Sequence, residues 1–203
     1  MPEPRRAAVV AIGDELVAGD FSDSNSGEIA RALGALGIEV ERFVVLGDDR
    51  PKLAHAFWEL ARDYAIVVAT GGLGPTLDDV SREAAADAAR VPLETRAEVL
   101  AGLRELWAGR GQAMPESNAR QATFPVGAQV MPNTCGTAPG FRVWIDGGML
   151  AVLPGPPREM RAMLELDLLP WLERTCGRGP ARALATFHLA GLSESAFGDR
   201  AGA

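Results

Sequence analysis

Glycines and acidic residues lie together in residues 69–80, between a strand-like run and a helical run. Gly71, Gly72 and Gly74 come first, and Asp78 and Asp79 follow them. Glycines directly after a buried strand let backbone N–H groups close on an anion such as a phosphate. Two carboxylates beside that turn would repel the anion unless a divalent cation lies between them. The spacing therefore indicates metal-assisted chemistry on a phosphorylated ligand.

A structural role for the same residues is equally open. Thr76 could be the N-cap of the following helix, and Asp79, three residues later, could complete a capping box. Both aspartates would also favour the positive end of that helix. The loop lacks the Lys-Ser/Thr ending of a Walker loop and the G-x-G-x-x-G spacing of a dinucleotide fold, so neither motif decides between the two interpretations.

Carboxylates also follow two other strand-like runs. Residues 7–12 lead into Gly13-Asp14-Glu15, and residues 38–45 lead into Gly47-Asp48-Asp49. In open α/β sheets the carboxyl ends of neighbouring parallel strands form one edge, and ligands bind there. Asp14 and Asp48 are therefore candidates for the same site as Asp79.

The order of the predicted elements positions these residues. Apolar runs at residues 7–12, 38–45 and 64–69 alternate with helical patterns up to residue 90, which predicts a doubly wound, mostly parallel sheet of the α/β class. For Asp23 and Asn25, before the first of these helices, we favour helix capping over contact with a ligand, with Glu28 completing a capping box.

The second half of the chain has a different pattern. A helix capped by Thr95 is predicted through Trp107, and a short strand at residues 129–131 follows. Residues 141–145 and 149–153 flank Asp146-Gly147-Gly148 and predict an antiparallel hairpin that extends the sheet. A last helix is predicted from Pro157 through Leu169.

Composition limits the class of protein. A chain of 203 residues with 47% hydrophobic content can bury a core in one main domain. No run approaches ~18 consecutive apolar residues, so we expect no membrane span and a cytoplasmic protein. A formal net charge of -7 argues against nucleic acid as a partner, and two cysteines are too few for a disulfide framework. We therefore expect a small-molecule partner.

Five groups of residues form a recognisable series along the chain: Gly13-Asp14-Glu15-Leu16 with Asp23-Ser24-Asn25, residues 70–79, Asn118-Ala119-Arg120-Gln121, residues 136–141 and residues 153–160. In this order they resemble the N-terminal domain of the competence/damage-inducible protein CinA family, within the wider molybdopterin-binding-domain superfamily. The resemblance covers residues 7–169. Superfamily members that build molybdenum cofactor usually carry an Arg-Asp pair where this chain has Asp78-Asp79, which weakens a molybdopterin assignment.

The resemblance implies a molybdopterin-binding-domain-like fold and hydrolysis of ADP-ribose to AMP and ribose 5-phosphate with a divalent cation such as Mg²⁺, Mn²⁺ or Co²⁺. It also implies association into dimers or larger homo-oligomers. We assign catalysis to Asp79 and Asp78, and metal binding to Asp79, Asp14 and Asp48. Eight residues are assigned to the nucleotide substrate: Gly71, Gly72, Gly74, Thr76, Asn118, Gln121, Thr137 and Arg158. Two alternatives stay open, a molybdopterin or nucleotide transferase of molybdenum cofactor synthesis and a nucleotide-binding module without catalysis.

Residues 171–203 are assigned to a linker and the start of a truncated middle domain, after a main domain at residues 1–170. Family members commonly carry a C-terminal amidase domain that acts on nicotinamide mononucleotide. The residues after Pro170 are too few to build a separate core of that kind, so we expect no deamidation by this chain. We expect the segment after Gly179 to be mobile or bound to a partner.

Overall fold

The structure is a computed structural model, and it describes residues 5–179, 190–191 and 193–201. Eight strands and eight α-helices are assigned among these residues. In chain order they are β1 (Arg5–Ile12), α1 (Asp14–Ala18), α2 (Asn25–Ala35), β2 (Ile38–Leu46), α3 (Arg50–Asp63), β3 (Ile66–Thr70), α4 (Ser81–Ala89), β4 (Leu93–Thr95), α5 (Ala97–Gly109), a 3₁₀ helix (Glu116–Ala122), β5 (Thr123–Pro125), β6 (Gln129–Met131), β7 (Gly140–Ile145), β8 (Gly148–Leu153), α6 (Pro157–Met163), a π-helical turn (Leu164–Leu168), α7 (Leu169–Cys176) and α8 (Glu194–Ala201).

The central sheet has six strands in the order β2-β1-β3-β8-β7-β6. The strands β2, β1, β3 and β8 are parallel, whereas β7 runs antiparallel to both of its neighbours. Val9 lies opposite Val68 in the parallel register of β1 and β3. The predicted α/β class, the three parallel strands of residues 5–90 and the antiparallel hairpin are therefore confirmed.

Helices cover both faces of this sheet, which explains why its central strands are apolar on both sides. On β1, Ala8 and Val10 point into one core, with Phe57 of α3. Ala7 and Val9 point into the other core, with Leu33 of α2. Each fully buried side chain of this size contributes roughly 1.5–3 kcal/mol, so the two cores fix the strands that carry the loops of the site.

Several local predictions were wrong in detail. Asp23, rather than Asn25, accepts the hydrogen bond from a backbone N–H at the start of α2, that of Ser26, at 3.0 Å. Glu28 pairs with Arg161 instead of closing a capping box. Thr95 lies in β4, and α5 begins at Ala97 without a side-chain cap.

The small antiparallel sheet of β4 and β5 was not predicted from the sequence. Each of these strands has three residues, too few for the alternation of apolar and polar residues to be recognised.

The helical run at residues 157–176 crosses the predicted domain boundary at residue 170. The side chain of Leu172, beyond that boundary, is buried in the same core as Leu33. The boundary itself stays a prediction. The expected mobility or partner contact after Gly179 concerns mainly residues 180–189, which lie outside the described residues. Among the helices that the structure describes, none is long and apolar enough to cross a membrane.

Candidate active site

Loops at the carboxyl ends of the parallel strands enclose a cavity of about 380 Å³. The loop after β3 lies at its centre, with residues from the loops after β1, β2 and β8 around it. This is the edge at which ligands bind in open α/β sheets. Of the residues predicted for the site, eight line the cavity: Asp48, Gly71, Gly72, Gly74, Asp78, Asp79, Gln121 and Thr137. The others, Asp14, Thr76, Asn118 and Arg158, do not line it.

The loop after β3 is packed tightly against its neighbours through its glycines. Gly71 has a φ of 115°, in the region that side chains disfavour, and a Cβ there would overlap the carbonyl of Ile12. Its N–H donates to the carbonyl of Leu153 at 3.0 Å, which ties the loop to the end of β8. Gly72, with a φ of 66°, leaves no room for a Cβ beside the hydroxyl of Ser81. The glycines therefore bring the backbone of the loop close to the strands beneath it.

Asp79 folds back over this loop and accepts three hydrogen bonds from it. Its Oδ1 accepts the N–H of Gly74 at 2.7 Å, and its Oδ2 accepts the N–H of Thr76 at 2.9 Å and the Thr76 hydroxyl. A carboxylate offers about four lone-pair positions, so one remains on Oδ1 for a cation or a water molecule. Because the N–H of Gly74 is already engaged by Asp79, it can reach a phosphate only if that bond breaks.

Thr76 and Asp79 do not cap the following helix in the way that a capping box requires. The helix α4 begins at Ser81, with Val80 as its N-cap residue and no side-chain hydrogen bond at the cap. Asp79 thus stabilises the loop rather than the helix. The predicted hydrogen bond from the Thr76 N–H to the Asp79 carboxylate is present, but it lies in the loop before α4 rather than at the start of the helix.

Two arginines that the sequence analysis did not assign to the site support the same loop. Arg120 donates to the carbonyl of Thr76 and, at 2.8 Å, to Glu83 at the start of α4. Arg82 is 2% exposed, and its Nη2 donates to the carbonyl of Leu73 at 2.9 Å. Burial lowers the pKa of Arg82 to about 10, so the guanidinium stays charged at neutral pH. Arg82 follows Asp78 and Asp79 closely in the sequence, but the sequence does not show that it is buried.

Asp14 and Asp48 join the loops after β1 and β2 through a reciprocal pair of hydrogen bonds. The N–H of Asp14 donates to Oδ2 of Asp48 at 3.0 Å, and the N–H of Asp48 donates to Oδ1 of Asp14 at 3.1 Å. Burial raises the pKa of the Asp48 carboxyl above its usual range, and the hydrogen bond from Asp14 acts in the opposite direction. The negative charges of Asp14, Glu15 and Asp78 add to the rise. A cation beside Asp48 would relieve this repulsion.

Two polar residues from the second half of the chain, Gln121 and Thr137, line the cavity. Gln121, which is 1% exposed, accepts a hydrogen bond from the side-chain amide of Asn118 at 2.9 Å. Asn118 therefore orients Gln121 rather than reaching the cavity itself. Thr137 lines the cavity directly, whereas Arg158 is exposed at the start of α6.

Two lining carboxylates, Glu15 and Glu159, were missed as site residues. Glu159 accepts a hydrogen bond from the side-chain amide of Asn133 at 2.6 Å, which fixes it beside the loop that carries Thr137. Both glutamates belong to motifs that carried the family resemblance, at residues 13–16 and 153–160. Their place after β1 and β8 was the signal that could have identified them.

The cavity is strongly acidic. Five carboxylates line it, those of Glu15, Asp48, Asp78, Asp79 and Glu159. None of the described lining residues is Lys, Arg or His. Within the described part of the chain, no three His, Cys, Asp or Glu side chains are grouped closely enough to hold a metal ion by themselves. Oxygen ligands of this kind suit Mg²⁺, which usually takes one or two carboxylates and completes its shell with water and substrate phosphates. The donor set fits a cation that is bound together with its substrate.

Comparison with known sequences identifies the wider relationships of the chain. The family described as probable molybdopterin binding domain matches residues 8–174. The chain is 41% identical over 193 residues to a CinA-like protein of Myxococcus xanthus, covering 94% of this chain and 46% of that protein. It is 40% identical over 195 residues to a CinA-like protein of Geobacter metallireducens, covering 96% and 47%. The chain thus spans about half the length of the curated relatives it matches.

Solved structures agree with this relationship. The protein CinA of Thermoplasma acidophilum, described as having unknown function, is 30% identical, with a TM-score of 0.75 over 84% of this chain and 97% of that one. The molybdopterin biosynthesis enzyme MoaB of Thermus thermophilus is 18% identical, with a TM-score of 0.56 over 88% and 99%. At that level of identity the second comparison shows a shared fold alone.

Proposed function

Because the chain belongs to the family of probable molybdopterin binding domains, and within it to the CinA-like proteins, we propose that the acidic cavity hydrolyses the pyrophosphate bond of ADP-ribose. A divalent cation takes part, and the products are AMP and ribose 5-phosphate. Water supplies the oxygen that attacks one phosphorus atom, and the bridging P–O bond breaks. The family resemblance suggests the substrate, and the chemistry of the cavity supports the reaction class.

The observation that carries the proposal is the excess of carboxylates in the cavity, none of whose described lining residues is basic. A pyrophosphate diester is anionic, and five carboxylates would repel it. A divalent cation held by these acids would offset the repulsion and favour binding of the phosphates. When bound, such an ion neutralises phosphate charge and lowers the pKa of a water molecule.

Asp48 and Asp78 are the residues that we assign to the cation. Both line the cavity, and Asp48 lies at the centre of a repulsive group of acids. Asp14 holds Asp48 in place through the reciprocal hydrogen bonds. Asp79 mainly holds the loop through its hydrogen bonds, but one lone pair on Oδ1 stays available to the cation, so we keep Asp79 in the site.

The chain's own groups prepare the attack in three ways. The reciprocal hydrogen bonds with Asp14 hold the Asp48 carboxylate in the orientation in which it would bind the cation. The loop that Asp79 closes fixes the backbone against which the phosphates lie. Gln121 and Thr137 are polar residues that line the same cavity, and we assign them to orienting the nucleotide.

The test is release of AMP from ADP-ribose by the purified chain with Mg²⁺, Mn²⁺ or Co²⁺, each compared with a chelator control. We expect AMP with at least one cation and a loss of at least about 100-fold in Asp48→Asn, as for the removal of an essential catalytic group. Asp49→Asn is the matched control. Asp49 is the neighbouring acid, but it caps α3 by accepting the N–H of Lys52, and asparagine caps a helix equally well.

Failure to release AMP with any of the three cations would refute the hydrolase proposal. Binding of ADP-ribose without turnover would then favour the binding module, and product formation from a pterin and ATP would favour the transferase. We also propose that the chain forms a homodimer. Sedimentation analysis tests this point.

A further inference from the structure

Glu159 lines the cavity, and its carboxylate is held through one of its two oxygens. Oε2 accepts a hydrogen bond from Nδ2 of Asn133 at 2.6 Å. Oε1 accepts none from the described part of the chain and is not a buried atom, so it is open to water. The described residues also give Glu159 no Lys, Arg or His partner. Glu159 is therefore a fixed carboxylate whose charge is not neutralised by a neighbouring cationic side chain.

The side chain of Asn133 uses its whole hydrogen-bonding capacity to hold Glu159 and the loop before β7 together. Besides the bond to Glu159, Nδ2 donates to the carbonyl of Ala138 at 2.9 Å. Oδ1 accepts the backbone N–H groups of Cys135 at 2.9 Å and Gly136 at 2.7 Å. An asparagine amide has two donor hydrogens and two acceptor lone pairs, and all four are engaged. The amide cannot turn over without opposing these partners, so its orientation and that of Glu159 are fixed.

A second contact fixes the same carboxylate from the side of Gly136. A Cβ on Gly136 would overlap the carboxylate of Glu159. The φ of Gly136 is not positive, so the close approach of Glu159, rather than the backbone conformation, accounts for a glycine here. The position of Glu159 is thus set by a hydrogen bond and by a steric contact, both from a loop about 26 residues earlier in the chain.

Glu159 also stands apart from the acids that surround Asp48. The charges that act on Asp48 are those of Asp14, Glu15 and Asp78, and Glu159 is not among them. A carboxylate that binds a divalent cation directly is a poor proton acceptor, because the cation stabilises its charged form. A carboxylate that is oriented by a neutral amide, with one oxygen open to water, has the arrangement of a general base.

We propose that Glu159 is the general base of the hydrolysis and that Asn133 is its positioning residue. The inference rests on the proposed function for the reaction. The oxygen of a water molecule bonds to one phosphorus atom of the pyrophosphate, and the proton of that water passes to the carboxylate of Glu159. The bridging P–O bond breaks, and its electron pair stays on the oxygen of the leaving phosphate.

The test compares three variants that separate the charge of Glu159 from its position. Glu159→Gln keeps an oxygen for the Asn133 amide but cannot take up the proton. Asn133→Asp keeps the acceptor for the two backbone N–H groups but opposes Glu159 with a second carboxylate, so it displaces Glu159 without removing its charge. The double variant Asn133→Asp/Glu159→Gln restores a hydrogen bond between the two side chains with donor and acceptor exchanged. Glu165→Gln, at an exposed acid outside the cavity, is the control.

For each protein, kcat and KM for AMP release from ADP-ribose are measured with the most effective of Mg²⁺, Mn²⁺ and Co²⁺. Calorimetric titration with AMP and the same cation gives the affinity for a product without turnover, and Tm reports stability. We expect Glu159→Gln to lower kcat at least about 100-fold, with KM, AMP affinity and Tm unchanged. Asn133→Asp should lower kcat about tenfold or more, because a small displacement of a catalytic group is costly. The double variant should regain Tm relative to Asn133→Asp, but its kcat should stay as low as that of Glu159→Gln.

Recovery of turnover in the double variant would overturn the inference, because it would show that the hydrogen bond matters and the charge of Glu159 does not. An equal loss of kcat in Glu165→Gln would overturn it as well, since the effect would not be specific to the cavity. AMP release that is lost in Asp48→Asn and kept in Glu159→Gln would refute the general base and leave the hydrolase proposal standing. Absence of AMP release from the unaltered protein with every cation would refute both.

Discussion

Replacing Asp79 by asparagine should cost both stability and activity, and the structure gives the size of the first effect. The carboxylate accepts three hydrogen bonds, and an amide has one acceptor oxygen. Whichever way the amide turns, its NH₂ group faces an N–H of Gly74 or Thr76. At least one charge-assisted hydrogen bond is therefore lost, and the NH₂ group of the asparagine faces a backbone N–H, so two donors oppose each other. Hydrogen bonds to charged groups contribute about 1.5–3 kcal/mol, and partial exposure of Asp79 reduces this, so we expect a loss of about 2 kcal/mol.

For a chain of this length that loss corresponds to a fall in Tm of about 4–8 °C, measurable by circular dichroism or calorimetry. Thr76→Val is the matched control, because it removes the hydroxyl bond to Asp79 and keeps the bond from the Thr76 backbone. It should fall between the unaltered protein and Asp79→Asn. AMP release is measured on both variants at a temperature where each is folded. A Tm of Asp79→Asn within 1 °C of the unaltered protein would refute the loop-holding role, and undiminished AMP release would remove Asp79 from the site.

Three further predictions concern other contacts of the site. Asp48→Asn should be more stable than the unaltered protein at neutral pH. Between the usual carboxyl pKa and the raised pKa of Asp48, the folded state binds more protons than the unfolded state, so ionisation of Asp48 lowers the stability of the unaltered protein as pH rises. A difference in Tm between the two proteins that stays constant from acid to neutral pH would contradict this. Gly47→Ala should lower stability by about 1 kcal/mol, because its Cβ would displace the Asp14 carboxylate. Gly102→Ala, with open space in the middle of α5, should raise stability by about 0.5–1 kcal/mol. Urea titrations in which both variants change the unfolding free energy in the same direction would refute the steric argument. Arg82→Met should change the unfolding free energy by no more than about 1 kcal/mol, since two nitrogens of the buried guanidinium already lack hydrogen-bond partners. A loss above about 3 kcal/mol would show that the charge itself is essential.

The strands and the edge of the sheet could be predicted from sequence because they depend on long apolar runs. Residues 7–12 are buried on both faces, and the run at residues 64–69 coincides closely with β3, Ile66–Thr70. Acids that follow such strands must meet at one edge of a parallel sheet, which is why Asp48, Asp78 and Asp79 were found together. This step needed only the chain direction of each strand.

The roles of individual side chains could not be predicted in the same way, because they depend on contacts between residues far apart in sequence. Asn25 has the composition and place of a helix cap, yet its amide bonds to Gly155, 130 residues further on. Glu28 fits a capping box equally well, yet Arg161 provides a charged partner in another helix. Capping rules predict the hydrogen bond that a side chain makes with its own neighbours in sequence. A residue from elsewhere in the fold replaces that partner where it binds more strongly.

The distribution of these contacts separates two kinds of acidic residue in the site. Asp79 is held by donors of its own loop, so its loss must damage the fold and the cavity together. Asp48 accepts a single backbone N–H and is otherwise surrounded by negative charge, so its ionised form is a cost to the folded chain in the absence of a cation. A residue whose removal should increase stability and abolish turnover is retained for function rather than for folding. Asp48 is therefore the position at which the proposed chemistry can be tested with the least interference from stability.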